Sequence, residues 1–215
     1  MKKNLFSSFL CCIAVACTLI VQAQTLPAYV PSSGLVAFYP LDGNANDLST
    51  NANNGTLNGC TAVLDRNGKL NGAYNFNGTS DYISVANAGN LNPGSAITIS
   101  AWIKASAFGT NVYDNTIVGK DTWTGGNSGY ALRCGDGGKL SFNLAKSINT
   151  WTESVTLLPL LTTTDWFFVC GVYDGSMLST YVNGALISAV PNTGAMITST
   201  VPLLIGSCPG PSAPR

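Results

Sequence analysis

The stretch WFFVCGVYDGSMLSTYVNGALISAV, residues 166–190, contains three short apolar segments separated by two tight-turn dipeptides. Asp174-Gly175 follows the first segment, and Asn183-Gly184 follows the second. Asp-Gly and Asn-Gly tolerate the positive φ angles of two-residue hairpin turns, whose twist matches that of the flanking strands. The stretch therefore predicts a meander of three antiparallel strands.

Both faces of the first segment in this meander are apolar. Its side chains alternate between two sets, which are Trp166, Phe168, Cys170 and Val172 on one face and Phe167, Val169, Gly171 and Tyr173 on the other. A strand without a polar face is typical of a sheet that is covered on both sides. We therefore expect this segment to be a central strand of an all-β core, with both faces buried.

Short apolar runs bounded by Gly, Asn, Asp and Pro continue through the rest of the chain. They predict further strands at residues 35–39, 73–76, 82–85, 97–104, 116–120, 130–134, 139–144 and 201–206. Residues 97–104 alternate apolar side chains with Thr98, Ser100, Trp102 and Lys104, the pattern of a half-buried strand. Because Trp102 and Trp166 fall within predicted strands, we interpret them as structural. Residues 44–59 and 145–165 are predicted to be connections without strands.

Several of these segments occur, in the same order, in a known domain family. They are Phe76-Asn77-Gly78 with Asp81-Tyr82-Ile83, the run Thr98-Ile99-Ser100-Ala101-Trp102-Ile103, and the Tyr-Asp-Gly and Tyr-Val-Asn-Gly turns of the meander. Over residues 34–206 the chain resembles laminin-G-like, concanavalin A-like jelly-roll domains. The resemblance implies an antiparallel two-sheet β-sandwich. Where relatives read Trp-His-His-Val-Ala, this chain has Trp166-Phe167-Phe168-Val169-Cys170, which preserves the strand pattern.

The two ends of the chain lead to separate expectations. Residues 1–23 combine Lys2 and Lys3 with an apolar run that ends in Val21-Gln22-Ala23, and this predicts a secretory signal cleaved after Ala23, with a membrane anchor as the alternative. We expect a secreted protein that has no membrane-inserted segment once the signal is removed, with residues 24–33 as a linker. Relatives carry one further strand, like Ile-Asp-Asp-Val-Arg-Ile-Tyr, that has no match here. We therefore expect the domain to be incomplete at its C-terminal end, followed by a proline-rich tail at 207–215.

Charge argues against nucleic acid as a partner. Only 9% of the residues are charged, and the loss of Lys2 and Lys3 with the signal would leave 8 basic side chains against 10 acidic ones. No basic cluster is present to neutralise phosphates. We therefore expect no nucleic-acid partner; the resemblance to lectin-like domains, with the predicted secretion, implies a glycan or an extracellular protein instead.

Four cysteines follow the predicted signal, namely Cys60, Cys134, Cys170 and Cys208. In an oxidising compartment they predict two disulfides, with three pairings that the sequence does not separate. Free buried thiols are the alternative. A zinc site is less favoured, because the chain has no histidine and the cysteine spacings fit no metal-binding pattern.

The residue types present also restrict catalysis. Without histidine there is no Ser-His-Asp or Cys-His arrangement. Glycoside hydrolysis in its usual form needs two carboxylates, and the chain has one glutamate, Glu153, while several aspartates occupy turn positions such as Asp42-Gly43, Asp136-Gly137 and Asp174-Gly175. An enzyme is therefore the minor alternative, as a polysaccharide hydrolase or lyase of the same sandwich class.

The polar segment 47–56 is the predicted metal site. It resembles the Asn-Asp-x-Ser-Gly-Asn-Gly-Asn-His-Gly segment that helps some relatives to bind calcium, and the matching residues with oxygen-bearing side chains are Asp47, Ser49, Asn51 and Asn53. Calcium takes six to eight oxygen ligands of the carboxylate, amide and carbonyl types. The resemblance therefore implies a calcium site. The alternative is a loop that is folded by its own side-chain hydrogen bonds.

Aromatic and polar residues in the predicted loops suggest a sugar-binding patch. Aromatic rings can stack on a pyranose face while amides and carboxylates bond its hydroxyl groups. The candidate carbohydrate-binding residues are Tyr113, Asp121, Trp123, Asn127 and Trp151. The alternative is that the tryptophans of this patch cover the sheet edges.

Three functions remain open at this point. The leading hypothesis is a secreted, non-catalytic binding module that recognises glycan or a cell-surface protein, assisted by calcium. The second is the carbohydrate-active enzyme, and the third is a structural adhesion domain of a longer protein.

Overall fold

The computed structural model describes residues 24–122 and 126–208. The predicted signal peptide, most of the predicted tail and Trp123 lie outside these residues. The described residues form thirteen strands and one short 3-10 turn at Gly89–Leu91. The strands are β1 (Gly55–Asn58), β2 (Thr61–Val63), β3 (Ala73–Asn75), β4 (Tyr82–Val85), β5 (Ile97–Ile103), β6 (Asn115–Lys120), β7 (Tyr130–Gly135), β8 (Lys139–Ser147), β9 (Thr150–Val155), β10 (Phe167–Tyr173), β11 (Met177–Val182), β12 (Ala185–Pro191) and β13 (Leu203–Ile205).

Two antiparallel sheets form the body of the domain. One has seven strands in the order β1-β4-β13-β6-β7-β8-β9, and the other has four in the order β12-β11-β10-β5. β2 and β3 pair with each other in a separate two-stranded sheet. The all-β antiparallel sandwich that the sequence predicts is thereby confirmed.

The core lies between the two sheets. Leu132 and Phe142 of the seven-stranded sheet and Val169 and Leu178 of the four-stranded sheet are completely buried in one apolar cluster. The Phe142 ring lies so close to Gly171 that a Cβ at this position would come within 2.5 Å of it. The absence of a side chain at residue 171 thus lets the two sheets approach each other.

The meander is confirmed, and β10 is a central strand that pairs with both β11 and β5. The expectation that both of its faces are buried is wrong. Val169 and Tyr173 face the core and are buried, whereas Phe168 and Cys170 on the opposite face are only half-buried. In the part of the chain that the structure describes, the seven-stranded sheet packs on one face of this sheet only, and no second layer covers the other face fully.

Three further predictions are corrected by the structure. Residues 35–39 form no strand, because side chains of the following polar loop bind their backbone instead of a neighbouring strand: the Val36 carbonyl oxygen accepts hydrogen bonds from Ser49, Asn51 and Asn53. Conversely, β1 and β9 lie within predicted connections. β1 pairs with β4 and β9 pairs with β8, and the local sequence gives no signal for either pairing. Among the described residues, no helix is both long and apolar enough to cross a membrane.

Candidate functional site

An open groove lies at one end of the four-stranded sheet, on the face away from the core. Its volume is about 460 Å³, and it is lined by Trp102, Trp166, Phe168, Asn183 and Gly184. We call these five residues the aromatic groove. Trp102 is 46% exposed, which is a large fraction for a tryptophan that lies within a strand.

Strand alternation and the β11–β12 turn place these side chains. Trp102 and Phe168 are cross-strand partners of β5 and β10, and their ring centroids lie 5.5 Å apart at 49°. Cross-strand aromatic pairs of this kind support each other's orientation. The groove therefore has a preorganised aromatic floor.

Asn183 is hydrogen-bonded to the Phe168 backbone and so connects the β11–β12 turn to the aromatic floor of the groove. It has a φ of +50° and precedes Gly184 at +82°, the left-handed pair that a tight hairpin turn requires. Its Oδ1 accepts a hydrogen bond from the Phe168 backbone N–H at 2.9 Å, and its own N–H donates to the Phe168 carbonyl at 2.7 Å. Within the described part of the chain, no acceptor bonds the Nδ2 group of Asn183. One exposed amide donor therefore lies beside the aromatic rings.

The described residues of the predicted sugar patch occupy different environments. Tyr113 and Trp151 are half-buried at the seven-stranded sheet, and the Tyr113 hydroxyl donates to Glu153 Oε2. Burial, followed by the hydrogen bond to Glu153, raises the pKa of Tyr113 to about 12. Asn127 accepts a hydrogen bond from the Thr200 hydroxyl at 2.7 Å and so fixes two loops together. Trp123 lies outside the described residues.

Asp121 occupies a different environment from the exposed one that the prediction assumed. Its side chain is 0% exposed, and its oxygens lie 3.0 and 3.2 Å from Arg133 Nη2. The Cys208 thiol donates to Asp121 Oδ1 at 3.3 Å. Burial raises the pKa of Asp121, and the Arg133 guanidinium opposes that rise. As arranged, this carboxylate is a partner in a buried ion pair and has no surface for a sugar hydroxyl.

The structure also differs from the disulfide prediction. Cys60, Cys134, Cys170 and Cys208 are present as thiols, and no disulfide joins them. Cys134 belongs to the core cluster between the sheets, whereas the neighbouring Arg133 on the other face of β7 carries the contact with Cys208. Burial raises the pKa values of Cys134 and Cys208 to about 12, which keeps both protonated at neutral pH.

The polar loop that carries the predicted calcium site is held by the carboxylate of Asp47. Oδ1 accepts hydrogen bonds from the backbone N–H groups of Phe38 and Ser49, at 2.9 and 2.8 Å. Oδ2 accepts from the Ser49 hydroxyl at 2.7 Å and from the Asn53 N–H at 2.8 Å. These four bonds match the number of lone-pair positions on a carboxylate.

The amides of this loop are also engaged. The Nδ2 groups of Asn51 and Asn53 donate to the Val36 carbonyl at 3.0 and 3.1 Å. In residues 24–122 and 126–208, no group of three or more His, Cys, Asp or Glu side chains is placed to hold a metal ion. The Asp47 carboxylate already accepts four hydrogen bonds from protein donors, so a calcium ion at this loop would have to displace some of them. Calcium binding remains a prediction.

Sequence analysis missed the aromatic groove, although one signal for it was present. In the alternation of β5, Trp102 shares its face with Thr98 and Ser100, the polar side of the strand. A tryptophan on the polar face of a half-buried strand is expected to be exposed. Membership of a strand is compatible with exposure, so it does not by itself make Trp102 structural.

Comparison with known families and proteins adds to this description. The model of the concanavalin A-like lectin/glucanases superfamily matches residues 77–214, which is more than half of the chain. A search of curated protein sequences finds no match.

Solved structures share the fold at low sequence identity. The receptor binding domain of the botulinum neurotoxin C/D mosaic serotype has a TM-score of 0.62 and 19% identity, with 82% of this chain and 44% of that chain covered. The binding domain of botulinum neurotoxin DC in complex with rat synaptotagmin II has a TM-score of 0.57 and 16% identity, with 81% and 44% covered. This chain thus spans less than half of either neurotoxin domain.

A third solved structure matches over most of both chains. Domain 4 of AbnA, a GH43 extracellular arabinanase from Geobacillus stearothermophilus solved in complex with arabinotriose, has a TM-score of 0.60 and 19% identity. The match covers 80% of this chain and 82% of that one. At these identities the similarity establishes a common jelly-roll fold.

Proposed function

Since the chain belongs to the concanavalin A-like lectin/glucanases superfamily, we propose that it is a non-catalytic binding module that recognises carbohydrate through the aromatic groove. The observation that carries this proposal is the exposure of Trp102 beside Trp166 and Phe168 in an open groove. Ligand grooves are lined mainly by apolar and aromatic side chains with a few polar groups among them. Aromatic rings stack well on the C–H face of a pyranose or furanose.

Polar groups beside the rings support the same reading. A sugar needs hydrogen-bond partners for its hydroxyl groups as well as an apolar surface. The Asn183 Nδ2 group supplies a donor at the groove, and Gly184 lets a ligand approach the backbone of the turn closely. The arabinotriose bound to domain 4 of AbnA is consistent with an oligosaccharide ligand on this fold. One of the similar neurotoxin domains was solved in complex with synaptotagmin, so a protein ligand is the other outcome of a binding screen.

An enzyme of the same sandwich class is less well supported. A glycosidase needs two carboxylates at an open site, one of which must be able to give up a proton. Asp121 is buried in an ion pair with Arg133, and Glu153 accepts a hydrogen bond from Tyr113. Neither carboxylate lines the aromatic groove. These contacts support a binding role.

Export is part of the proposed function, because an extracellular glycan requires a protein outside the cell. Residues 1–23 carry the features of a secretory signal, and cleavage after Ala23 would produce a chain that begins at Gln24. N-terminal sequencing of the protein recovered from the medium or cell envelope of a producing culture tests this. A first residue other than Gln24, or a protein confined to the cytoplasm, would contradict it.

The binding proposal is tested with immobilised glycans, followed by calorimetric titration with the glycan that binds most strongly. We expect Trp102→Ala to weaken binding about tenfold or more, because the stacking surface is lost. Tyr29→Ala is the matched control, since Tyr29 is an aromatic side chain that is 84% exposed and lies outside the groove. If the Trp102 variant binds as tightly as the wild type, or if the Tyr29 variant loses as much, the groove is not the site.

A further inference from the structure

Arg66 lies over the indole ring of Trp102, at the edge of the aromatic groove. The distance from its Cζ to the ring centroid is 4.2 Å. Arg66 belongs to the connection between β2 and β3, which form a separate two-stranded sheet. This connection places the positive charge of Arg66 at the groove.

The connection that carries Arg66 is an ordered turn. Asp65 Oδ1 accepts hydrogen bonds from the backbone N–H groups of Asn67 and Lys69, both at 2.8 Å. The Asp65 N–H donates to the Lys69 carbonyl at 3.1 Å, and Gly68 donates back to the Asp65 carbonyl at 3.1 Å. The position of the guanidinium is therefore supported by its own turn as well as by the ring.

The charge of Arg66 is not neutralised by an ion pair in the described part of the chain. Its polar contact there is a long one, 3.4 Å from Nη1 to Asn67 Oδ1. The ion pairs within residues 24–122 and 126–208 are Lys69–Asp42, Arg133–Asp121 and Lys139–Asp136. The carboxylate of Asp65, the neighbour in sequence, is used by the turn, and these hydrogen bonds, with smaller contributions from the charges of Arg66 and Lys69, hold the pKa of Asp65 below its ordinary value.

One carboxylate lies next to the groove in sequence. Asp165 directly precedes Trp166, and its Oδ2 accepts hydrogen bonds from the hydroxyls of Thr162 and Thr164, at 2.8 and 2.9 Å. These bonds, with a smaller contribution from Lys104, hold the pKa of Asp165 below its ordinary value. Asp165 therefore interacts with Lys104, and in the described part of the chain it forms no ion pair with Arg66.

Nη1 of Arg66 donates to Asn67 Oδ1, and no other hydrogen bond of its guanidinium lies within the described residues. A guanidinium that lies over an aromatic ring uses its flat face, whereas its five N–H donors point outward in its own plane. Those donors match the two oxygens of a carboxylate in a fork-like, bidentate arrangement. An arginine held in this way is a preformed site for a planar anion beside an aromatic surface.

We propose that the aromatic groove selects sugars that carry a carboxylate, with the sugar ring against the aromatic surface that Arg66 leaves uncovered and the carboxylate paired with Arg66. This inference rests on the proposed carbohydrate binding and names the chemical class of the ligand. Uronic acids and sialic acids share the required chemistry, an anionic carboxylate attached to a pyranose ring. Neutral sugars lack the group that Arg66 recognises.

Calorimetric titration of the purified protein with matched pairs of sugars tests the inference. The pairs are trigalacturonate against galactotriose, and 3′-sialyllactose against lactose. We expect the acidic member of at least one pair to bind about tenfold more tightly, and Arg66→Gln to remove that advantage. Binding of the acidic sugar should also weaken as sodium chloride is raised from 50 to about 500 mM, because salt screens an exposed charge pair.

Three variants make the result specific. Lys146→Gln removes an exposed cation from β8 of the other sheet and should leave the preference unchanged. Arg66→Lys keeps the charge without the bidentate fork, so it should retain only part of the preference. Trp102→Ala should weaken both members of a pair. Arg66 is exposed, and equal thermal midpoints of the Arg66 variants and the wild type show that the fold is unaffected.

The possible failures are distinguishable. If acidic and neutral sugars bind equally and Arg66→Gln changes neither, while Trp102→Ala weakens both, the acidic preference is refuted and carbohydrate binding stands. If no sugar of either pair binds and the immobilised glycans detect none, the proposed function fails together with the inference. A preference confined to one pair identifies the source of the carboxylate and supports the inference.

Discussion

Replacement of Asp47 tests how the polar loop at residues 47–56 is stabilised. Asp47 is 7% exposed, and its carboxylate accepts three backbone N–H groups and one hydroxyl. Asp47→Ala would leave the N–H groups of Phe38, Ser49 and Asn53 without these acceptors. A buried donor without a partner costs about 1–3 kcal/mol. Because Ser49 is partly accessible to water, we expect a total loss of about 2–5 kcal/mol in the free energy of unfolding.

The variant Asp47→Asn removes only one of the two acceptor oxygens. The amide keeps one oxygen that can accept two of the four bonds, but its NH₂ group faces the remaining donors. We therefore expect a smaller loss, about 1–3 kcal/mol. Asp174→Ala is the control, since Asp174 also accepts hydrogen bonds from Ser176 and Met177 in a turn but is exposed. Water replaces the lost acceptor there, so the Asp174 variant should lose less stability than either Asp47 variant.

The assay is urea unfolding followed by tryptophan fluorescence, with 2 mM calcium chloride or 2 mM EGTA as the two conditions. The hydrogen-bond account predicts the same loss in both, because the Asp47 lone pairs already have protein donors. A loss for Asp47→Ala no larger than that for Asp174→Ala would refute this account. If calcium instead raises the stability of the wild type and Asp47→Ala removes that gain, the loop is a metal site, as its resemblance to calcium-binding relatives implies.

Two further predictions concern buried groups. Asp121→Asn should lower the free energy of unfolding, measured with urea at pH 7, by about 3–5 kcal/mol, because it leaves the Arg133 charge buried without the Asp121 carboxylate. A loss below about 1 kcal/mol would show that the ion pair is not buried as described. Burial raises the pKa of Cys134 to about 12, so the stability associated with its thiol is complete below the unfolded-state pKa near 9 and is lost as pH rises toward 12. Above about pH 9 the free energy of unfolding should therefore fall more steeply for the wild type than for Cys134→Ala, by up to about 1.4 kcal/mol per pH unit. Parallel pH profiles of the two proteins would contradict this prediction.

Much of the fold could be predicted from the sequence, because its signals are local. The turns at Asp174-Gly175 and Asn183-Gly184 separate the strands of the meander, and the alternation of residues 97–104 identifies β5. The short strand β1 has no such signal, since Gly55–Asn58 is polar and depends on its pairing with β4. Residues 35–39 have strand-like composition, but the loop that begins at Asp47 supplies their hydrogen bonds.

The candidate site was less predictable, since it depends on which elements come together in space. Tyr113 meets Glu153 across 40 residues of sequence, and Asp121 is buried because Arg133 approaches it from the neighbouring strand. Contacts between residues this far apart in the chain leave no local sequence pattern from which they could be predicted. For this reason the burial of Asp121 was not predicted, and Trp102, which is exposed, was interpreted as structural.

By itself, the sequence determined that this protein is an antiparallel β-sandwich, because hairpin turns and alternating apolar residues encode strand direction and the inward face. Only the tertiary structure decided which apolar face stays open. β10 is apolar on both sides, and an apolar side chain is equally compatible with the core and with a ligand groove. Val169 differs from Phe168 because the seven-stranded sheet packs over Val169, whereas no sheet among residues 24–122 and 126–208 packs over Phe168. Burial depends on neighbours distant in sequence, and the same arrangement brings Arg66 onto Trp102.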